Sequence, residues 1–380
     1  MPFALTYHAD FEDVFAIRGL VPVQPGQRLK PAWENGMLNF AYAGADRFYR
    51  SLSVSFSPPP QKRQATSARF QFTLEPNGVK ELFVSLIVTE SATGEQVKPR
   101  SQSQPDLGGI KDYFNHTSEE WLQGWVKVNS DSTLLNHLLD RSLSDLRMLS
   151  IRLDGENYFA AGVPWFVALF GRDSIITALQ TLAFNQRLAA DTLRLLARFQ
   201  GREVNEWREE QPGKILHELR IGELAHLGQI PHNPYYGTVD ATPLFLVLLA
   251  QHASWTGDLG LFHELREHIE RALTWIDRYS DSDGDGFADY RSAAASALIN
   301  QGWKDSGNAI VNQDGNLAEP PIALVEVQGY IYRAKMNLAD IFERAGEPDR
   351  AHQLREEARK LKERFNQAFW LEPVMNFWRW

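Results

Sequence analysis

Hydrophobic and polar residues alternate one by one along the first 90 residues of the chain. Residues 51–56 alternate serine with a large apolar side chain, and residues 69–74 repeat this pattern with Phe and Leu. A period of two is typical of half-buried antiparallel strands. Residues 82–89 form a further, more thoroughly apolar candidate strand, and Pro58-Pro59-Pro60 and Pro76-Asn77-Gly78 supply turns. The pattern predicts a β-sandwich-like N-terminal domain.

The period changes after a segment rich in Ser, Gln, Pro and Gly at residues 91–109, which is typical of a linker. We place a domain boundary there and predict a β-rich domain at residues 1–108 and a helical domain at residues 109–380. Beyond it, apolar residues recur every three or four positions, as in amphipathic helices. One predicted helix has its apolar positions between Leu135 and Leu149 and is capped by Asp131 or Ser132. The other predicted helices are residues 172–183, 189–199, 243–254, 258–276 started by Asp258, 323–341 after Pro320-Pro321, and 350–369. Strand signals are scarce here, so a mainly α architecture of paired helices is predicted.

Composition excludes several classes of function. The formal net charge of −9 and the pI near 5.6 argue against binding to nucleic acid or to an anionic membrane. The chain has no cysteine, which excludes disulfides, thiolate catalysis and thiolate metal sites. No segment reaches the roughly 18 apolar residues of a membrane helix, and the first residues are too acidic for a signal peptide. We therefore expect a cytoplasmic protein.

Six runs of sequence share one resemblance. In order and spacing they are similar to the glucosidase half of bacterial glycogen-debranching proteins, the amylo-α-1,6-glucosidase family, from about Trp121 onward. The runs are GVPWFVALFGRDS, GKILHE, YYGTVDATPLF, DGDGFADY, GWKDSGNAI and EPPIALVEVQGY. The resemblance implies an (α/α)6 barrel whose loops line a sugar-binding cavity. It also implies hydrolysis of α-1,6-glucosidic branch linkages of glycogen or other α-glucans, with inversion and without a cofactor.

The helical domain is predicted to be an incomplete barrel. Roughly seven helices are convincing, whereas a closed barrel of this kind has about twelve and would need well over a hundred further residues. Compared with the family, we expect both ends of the chain to be cut and the C-terminal part of the barrel to be missing.

Inversion needs two carboxyl groups about 6.5–9.5 Å apart, one as acid and one as base. The resemblance of the run Gly302–Gly307 implies that Asp305 is the general acid, although by itself this would be a solvated loop carboxylate. Trp303 is expected to line the cavity and to shield the Asp305 carboxyl from water. The family takes its base from a late barrel segment, which nothing between Glu363 and Trp380 matches. Glu326 is another carboxylate of the cavity, but the resemblance places it at a substrate-lining position.

Substrate-binding residues are predicted around the start of a helix at Arg172 and Asp173. Guanidinium donors and carboxylate acceptors match vicinal sugar hydroxyls, so this pair is expected to hold the non-reducing glucose. The alternative is a helix-capping salt bridge. Trp165 and Phe166 are predicted to form an apolar wall of the cavity, although core packing is the commoner fate of such aromatics.

A second group of polar residues has the same ambiguity. Tyr236 and Asp240 come just before the apolar segment 244–249, and Asp240 either orients a sugar hydroxyl or caps that helix. His217 and Glu218 in GKILHE have the same ambiguity. We rank all of these residues below Arg172 and Asp173 as candidates for sugar binding.

The run Asp281–Gly286 repeats the D-x-D-x-D-G opening of a calcium loop. Ser292 stands where a bidentate Glu is expected, and Asp289 is only a weak substitute. We therefore predict an acidic inter-helix turn and no metal site.

Three other functions remain open. The chain is a non-catalytic carbohydrate-binding fragment if the base is absent, or a glucosidase of another linkage specificity. A metal-dependent α-toroid, such as a cyclase, is disfavoured because there is neither cysteine nor an H-x-x-x-H motif. The sequence does not determine the oligomeric state.

Overall fold

A computed structural model describes residues 1–19, 25–92, 107–292, 294 and 297–370. The chain divides into two compact units, residues 1–120 with 221–230 and residues 121–220 with 231–380. Most of the predicted linker at 91–109 lies outside the described residues. None of the helices in the described ranges is long and apolar enough to span a bilayer.

The strands are mostly in the first unit. They are β1 (Pro2–Thr6), β2 (Gln27–Arg28), β3 (Ala32–Glu34), β4 (Met37–Ala43), β5 (Tyr49–Ser57), β6 (Lys62–Gln64), β7 (Ser67–Gln71), β8 (Phe83–Ser91), β9 (Ser150–Leu153), β10 (Glu156–Phe159), β11 (Leu169–Phe170) and β12 (Glu218–Leu219). All of the strand pairs are antiparallel.

The helices are mostly in the second unit. They are α1 (Val14–Ile17), α2 (Leu107–Gln123), α3 (Thr133–Leu149), α4 (Gly171–Thr181), α5 (Gln186–Arg198), α6 (Glu223–His226), α7 (Ala241–Thr256), α8 (Gly260–Glu264), α9 (Arg266–Arg278), α10 (Val325–Arg344) and α11 (Pro348–Ala368).

Two antiparallel sheets build the first unit. One has the strand order β1-β7-β6, and the other has the order β2-β4-β5-β8 with β3 also paired to β4. Alternate residues of β4 and β5, such as Leu38 and Val54, face each other in register and share a buried core with Phe70 of β7. The sandwich predicted from the period of two is thus found. β8 forms as predicted, but its apolar residues Leu86 and Val88 are exposed.

The short segment 221–230 belongs to the first unit although it is distant in sequence. Glu223 of α6 accepts hydrogen bonds from the Tyr42 hydroxyl and from the Ala45 backbone N–H. His226 Nδ1 lies 3.0 Å from Asp46 Oδ2. These polar contacts are buried or partly buried, so they fix the segment against β4 and the turn that follows it.

The second unit is organised around α7. Twelve of its sixteen residues are buried, and they cover every side of the helix. A helix that is apolar all round belongs in a core, and α7 packs against α4, α5, α9 and α10. It ends at Gly257, whose φ of +74° is the left-handed conformation that favours glycine at this position.

The predicted helices are all present, with shifted ends. Ser132 caps α3 by accepting from the backbone N–H of Leu135, as one of the two predicted caps. The helix predicted from Asp258 is divided into α8 and α9 at Leu265. α2 was not predicted, because its glycines and polar residues hide the helical period.

Candidate active site

One buried guanidinium joins three distant segments of the second unit. Arg172 is only 8% exposed. Its Nη1 donates to Asp240 Oδ2 at 3.2 Å and to the Gly302 carbonyl oxygen at 2.7 Å, and its Nη2 donates to Asp305 Oδ2 at 3.0 Å. The start of α4, the residue before α7 and the loop 302–307 therefore converge on a single side chain.

The position of Arg172 follows from the way α4 begins. β11 pairs with β12, and the next residue, Gly171, donates its backbone N–H to the His217 carbonyl at 2.9 Å. A Cβ atom on Gly171 would lie 2.1 Å from the Leu216 carbonyl oxygen. Only glycine fits there. The close approach of these two segments of the chain therefore fixes the first turn of α4 and the position of the next side chain, Arg172.

Asp240 is completely buried. Its Oδ1 accepts from the Thr238 hydroxyl at 2.7 Å, and its Oδ2 accepts from Arg172. Its side chain makes no capping hydrogen bond to α7. The helix-capping alternative for Asp240 is therefore not seen, and its carboxylate serves the cluster instead.

Asp305 lies at the open side of the cluster. Its side chain is 41% exposed and Trp303 is 55% exposed, so the indole does not enclose the carboxyl as expected. The reason is that Trp303 and Asp305 share one exposed loop. Two hydrogen bonds hold this loop in place. The Tyr290 hydroxyl donates to Asn300 Oδ1, and Asn300 Nδ2 donates to the Ser306 carbonyl at 2.7 Å.

Glu326, in the first turn of α10, lies beside the same loop. A Cβ atom on Gly302 would lie 3.8 Å from Glu326 Oε1 and 2.1 Å from Leu324 Cδ1. The glycine thus allows the loop to approach α10 closely while its carbonyl faces Arg172. Asp173 is further out, with Oδ2 at 4.0 Å from Arg172 Nε and a partly exposed side chain. Arg172 is engaged mainly by Asp240 and Asp305, rather than forming a matched fork with Asp173.

The aromatic residues are divided between surface and core. Trp165 and Phe166 are both exposed, and Phe166 packs edge-on against Phe170 at 5.9 Å between ring centroids. Trp165 and Phe166 are therefore not part of the core. Tyr236 is buried, and its hydroxyl donates to the Phe199 carbonyl at 2.7 Å. Burial raises the pKa of Tyr236. Its hydroxyl is directed to the end of α5, so the structure does not bring it to the cluster as predicted.

Two further residues are influenced by the charges of the cluster. Burial and then the charges of Asp240 and Glu326 raise the pKa of Tyr330, which is one helical turn after Glu326 on α10. The spacing of four from Glu326 was a usable signal. His217 is buried and packs edge-on against Phe170. Burial lowers the pKa of His217, and Arg172 lowers it further.

The electrostatic balance of the cluster is negative. Burial alone would lower the pKa of Arg172, but Asp240, Asp173 and Asp305 raise it overall. The guanidinium therefore stays charged, surrounded by acceptors and close to the open side of the site. Such an arrangement offers both donors and acceptors to an uncharged ligand rich in hydroxyl groups.

Comparisons with known proteins give two findings. Residues 1–85 match the family described as the N-terminal domain of (some) glycogen debranching enzymes. A bacterial glucoamylase complexed with acarbose has a similar fold, with a TM-score of 0.57 and 11% identity over 93% of this chain and 50% of the glucoamylase. The chain therefore spans about half of the length of that structure. A rhamnosidase from Klebsiella oxytoca with rhamnose bound is less similar, with a TM-score of 0.43 and 13% identity over 81% of this chain and 47% of the rhamnosidase. A comparison with curated proteins gave no match.

These findings confirm the predicted fold class, a helical unit of the glucoamylase (α/α)6 type preceded by antiparallel sheets. The family match is confined to residues 1–85, and the similarity to the glucoamylase shows a shared fold.

Proposed function

We propose that this chain is a glycoside hydrolase of the glycogen-debranching type, which hydrolyses α-1,6-glucosidic branch linkages of α-glucans with inversion. The observation that carries the proposal is the convergence on Arg172. Its partners Asp240 and Asp305 come from two of the other sequence runs that resemble this family. Three runs far apart in sequence thus supply one constellation of sugar-binding type.

The residues have separate roles in this proposal. Arg172 and Asp240 hold hydroxyls of the terminal glucose, because a buried fork beside a carboxylate binds a diol in a fixed orientation. Asp173 and Glu326 line the site, and the exposed Trp303 offers a face on which a sugar ring stacks. The exposed rings of Trp165 and Phe166 extend this surface.

Asp305 donates the proton. In the present arrangement its carboxylate accepts a hydrogen bond from Arg172. The bound sugar hydroxyls must first replace Asp305 as partners of Arg172. The protonated carboxyl then donates to the glycosidic oxygen while the bond from that oxygen to the anomeric carbon breaks. A water molecule adds to the opposite face of the anomeric carbon, and its proton passes to a second carboxylate. We do not assign this second carboxylate to Glu326.

Both comparisons support this choice of substrate class. The glucoamylase of similar fold was solved with acarbose, and the first 85 residues resemble a domain of glycogen debranching enzymes. An uncharged oligosaccharide also suits a chain with a net charge of −9, because it is not repelled.

The test is the release of glucose from a branched limit dextrin by the full chain, beside Asp305→Asn and the exposed control Asp314→Asn. We expect release by the unchanged chain, a decrease of about 100-fold or more in Asp305→Asn, and no change in the control. Equal release by Asp305→Asn would refute the assignment of the acid. Release from linear but not from branched glucan would refute the α-1,6 specificity.

A second function is carbohydrate binding without hydrolysis. It is favoured by the ion pair between Arg172 and Asp305, because this pair engages the carboxylate that is proposed to act as the acid. Calorimetric binding of an isomaltooligosaccharide without glucose release would support it. Release that depends on Asp305 would exclude it.

A further inference from the structure

The acidic turn between α9 and the loop of Asp305 contains four carboxylates. Asp281, Asp283 and Asp285 each place one carboxylate oxygen within 4.8 Å of the others. Asp283 and Asp285 are exposed, while Asp281 is partly buried. Like charges at this distance repel one another unless a cation lies between them.

Backbone N–H groups organise this turn from inside. Asp281 accepts from Gly284 at 2.7 Å and from Gly286 at 2.8 Å, and Asp285 accepts from Phe287 at 2.8 Å. Gly286, with φ of +87°, allows the sharp bend at the sixth position of the turn. Because these bonds occupy only some of the carboxylate lone pairs, each residue keeps an oxygen site for a further partner.

Asp289 provides independent evidence for a bound ion. It is only 7% exposed, and its Oδ2 accepts from the backbone N–H of Ser282 within the same turn at 3.0 Å. Within the described residues its Oδ1 has no hydrogen-bond partner. Because Ser282 lies between Asp281 and Asp283 in the chain, this hydrogen bond holds the Asp289 carboxylate against the acidic turn. A buried carboxylate oxygen without a partner is costly, and a cation removes that cost.

No basic side chain neutralises the turn. Across the described ranges no ion pair from Lys, Arg or His reaches Asp281, Asp283, Asp285 or Asp289. Arg364 donates to the Gly286 carbonyl at 2.8 Å and lies over the Phe287 ring. It therefore stabilises the backbone of the turn and leaves the carboxylates available.

We propose that Asp281, Asp283 and Asp285, supported by the buried Asp289, bind one calcium ion that fixes the connection between α9 and the Asp305 loop. An all-oxygen site with several carboxylates and room for water suits calcium better than magnesium, which demands a tight octahedron. Asp289 is the ninth residue counted from Asp281, a position that commonly reaches calcium through a water molecule. The proposal departs from the prediction of no metal site, which depended on the Ser at position 292.

The experiment uses the full chain, stripped with a chelator that is then removed. Calorimetric titration with calcium chloride is expected to show one site with a dissociation constant of about 10⁻³ M or lower, and the midpoint of thermal unfolding is expected to rise with calcium. Magnesium is expected to bind at least tenfold more weakly. Neither readout depends on activity.

The variants are Asp283→Asn, Asp285→Asn and the control Asp314→Asn. Asp283 and Asp285 are exposed and Asn keeps their turn-forming acceptor, so both variants are expected to fold and to bind calcium at least tenfold more weakly. Asp314 forms a similar turn by accepting from the Asn316 N–H at 3.2 Å, but it is not part of this cluster. Its variant is expected to bind like the unchanged chain. No saturable binding of calcium, equal binding of magnesium, or unchanged binding by both cluster variants would overturn the proposal.

Discussion

The burial of Arg172 costs free energy, and its hydrogen-bond acceptors offset that cost. Removing a guanidinium from water costs several kcal/mol, and this cost is offset only when every donor finds a good acceptor. Asp240, Asp305 and the Gly302 carbonyl supply those acceptors. Asp240 has the converse problem, because it is completely buried and depends on Arg172 for its countercharge.

Replacing Arg172 with Ala is therefore expected to destabilise the fold as well as the site. The change leaves Asp240 as an uncompensated buried charge, which costs about 3–5 kcal/mol in the free energy of unfolding. Arg172→Lys keeps the charge but loses the planar fork, so it is expected to cost less and still to abolish binding of a glucosyl oligosaccharide. Urea denaturation and calorimetric binding separate the two effects. Arg359→Ala, on the exposed face of α11, is the control and is expected to change neither. A wild-type free energy of unfolding in Arg172→Ala would contradict this account.

Replacing Glu326 tests whether this residue binds the substrate or acts as the catalytic base. It lies beside Gly302 and influences Tyr330, but the proposed chemistry does not route a proton through it. We expect Glu326→Gln to raise KM several-fold and to leave kcat within about threefold, because it removes a binding contact only. Steady-state hydrolysis of a branched dextrin measures both constants. A decrease in kcat of about 100-fold or more, with KM unchanged, would instead identify Glu326 as the base.

At the scale of the elements, the site depends on a close approach between two chain segments. Gly171 lies where β11 becomes α4, and its α-carbon faces the Leu216 carbonyl. Backbone cannot retreat as the tip of a long side chain can. The distance between these segments therefore sets the direction in which Arg172 leaves the helix.

A methyl group at position 171 is expected to force the segments apart. Gly171→Ala should lower the free energy of unfolding by about 1–3 kcal/mol and displace Arg172 from its partners. Gly329→Ala is the matched control, because Gly329 is exposed within α10 and a Cβ there meets no atom within 4 Å. It should stabilise the fold by about 0.5–1 kcal/mol, as Ala does within a helix. Chemical denaturation of both variants tests this; equal effects would show that the approach at position 171 is not tight.

Elements with a strong period were predictable, and their ends were less so. The apolar segment of α7 and the amphipathic stripe of α9 depend on local sequence, so pattern alone identified them. The start of α5 was placed three residues late, because the cap at Asn185 was overlooked. α2 was missed since its residues lack a clear apolar stripe. Packing with distant residues decides such cases.

The site itself was predictable only through resemblance. Arg172 is separated by 68 residues from Asp240 and by 133 from Asp305, and no local pattern connects residues so far apart. The ordered sequence runs suggested these three residues. Tyr236 was misjudged because its neighbours in the run face the cluster while its own hydroxyl faces Phe199.

At the scale of the whole molecule, one unit is interrupted by the other. The segment 221–230 joins the first unit through Glu223 and Tyr42, 181 residues apart. Nothing in its own composition predicts this, since the contacts are made by a few polar side chains and by a small apolar cluster with Phe15. The chain leaves the second unit after residue 220 and returns to it at residue 231. Close to these two points, Glu218 accepts from Arg220 Nη2 at 3.2 Å and lies 2.9 Å from His232 Nε2.

Glu218 is expected to make the second unit sensitive to acid. Burial alone would raise the pKa of Glu218, but the hydrogen bond from His232 and the charges of His232, His217 and Arg220 lower it from 4.5 to about 2. Between these two values the unfolded chain binds more protons than the folded one, so stability rises with pH there. The contribution, on the order of 3 kcal/mol, is complete above pH about 4.5 and is lost as the pH falls toward 2. Glu218→Gln keeps the size of the side chain and one accepting oxygen, and it does not titrate.

The measurement is the free energy of unfolding from pH 6 down to about pH 2.5, for the unchanged chain, for Glu218→Gln and for the exposed control Glu363→Gln. Because other carboxylates also titrate in this window, the slope of the unchanged chain is not informative alone. We expect the difference between the unchanged chain and Glu218→Gln to shrink steadily below pH about 4.5, while the difference from the control stays constant. A difference that does not vary with pH would mean that His232 and Arg220 do not hold Glu218 as a carboxylate in the folded chain.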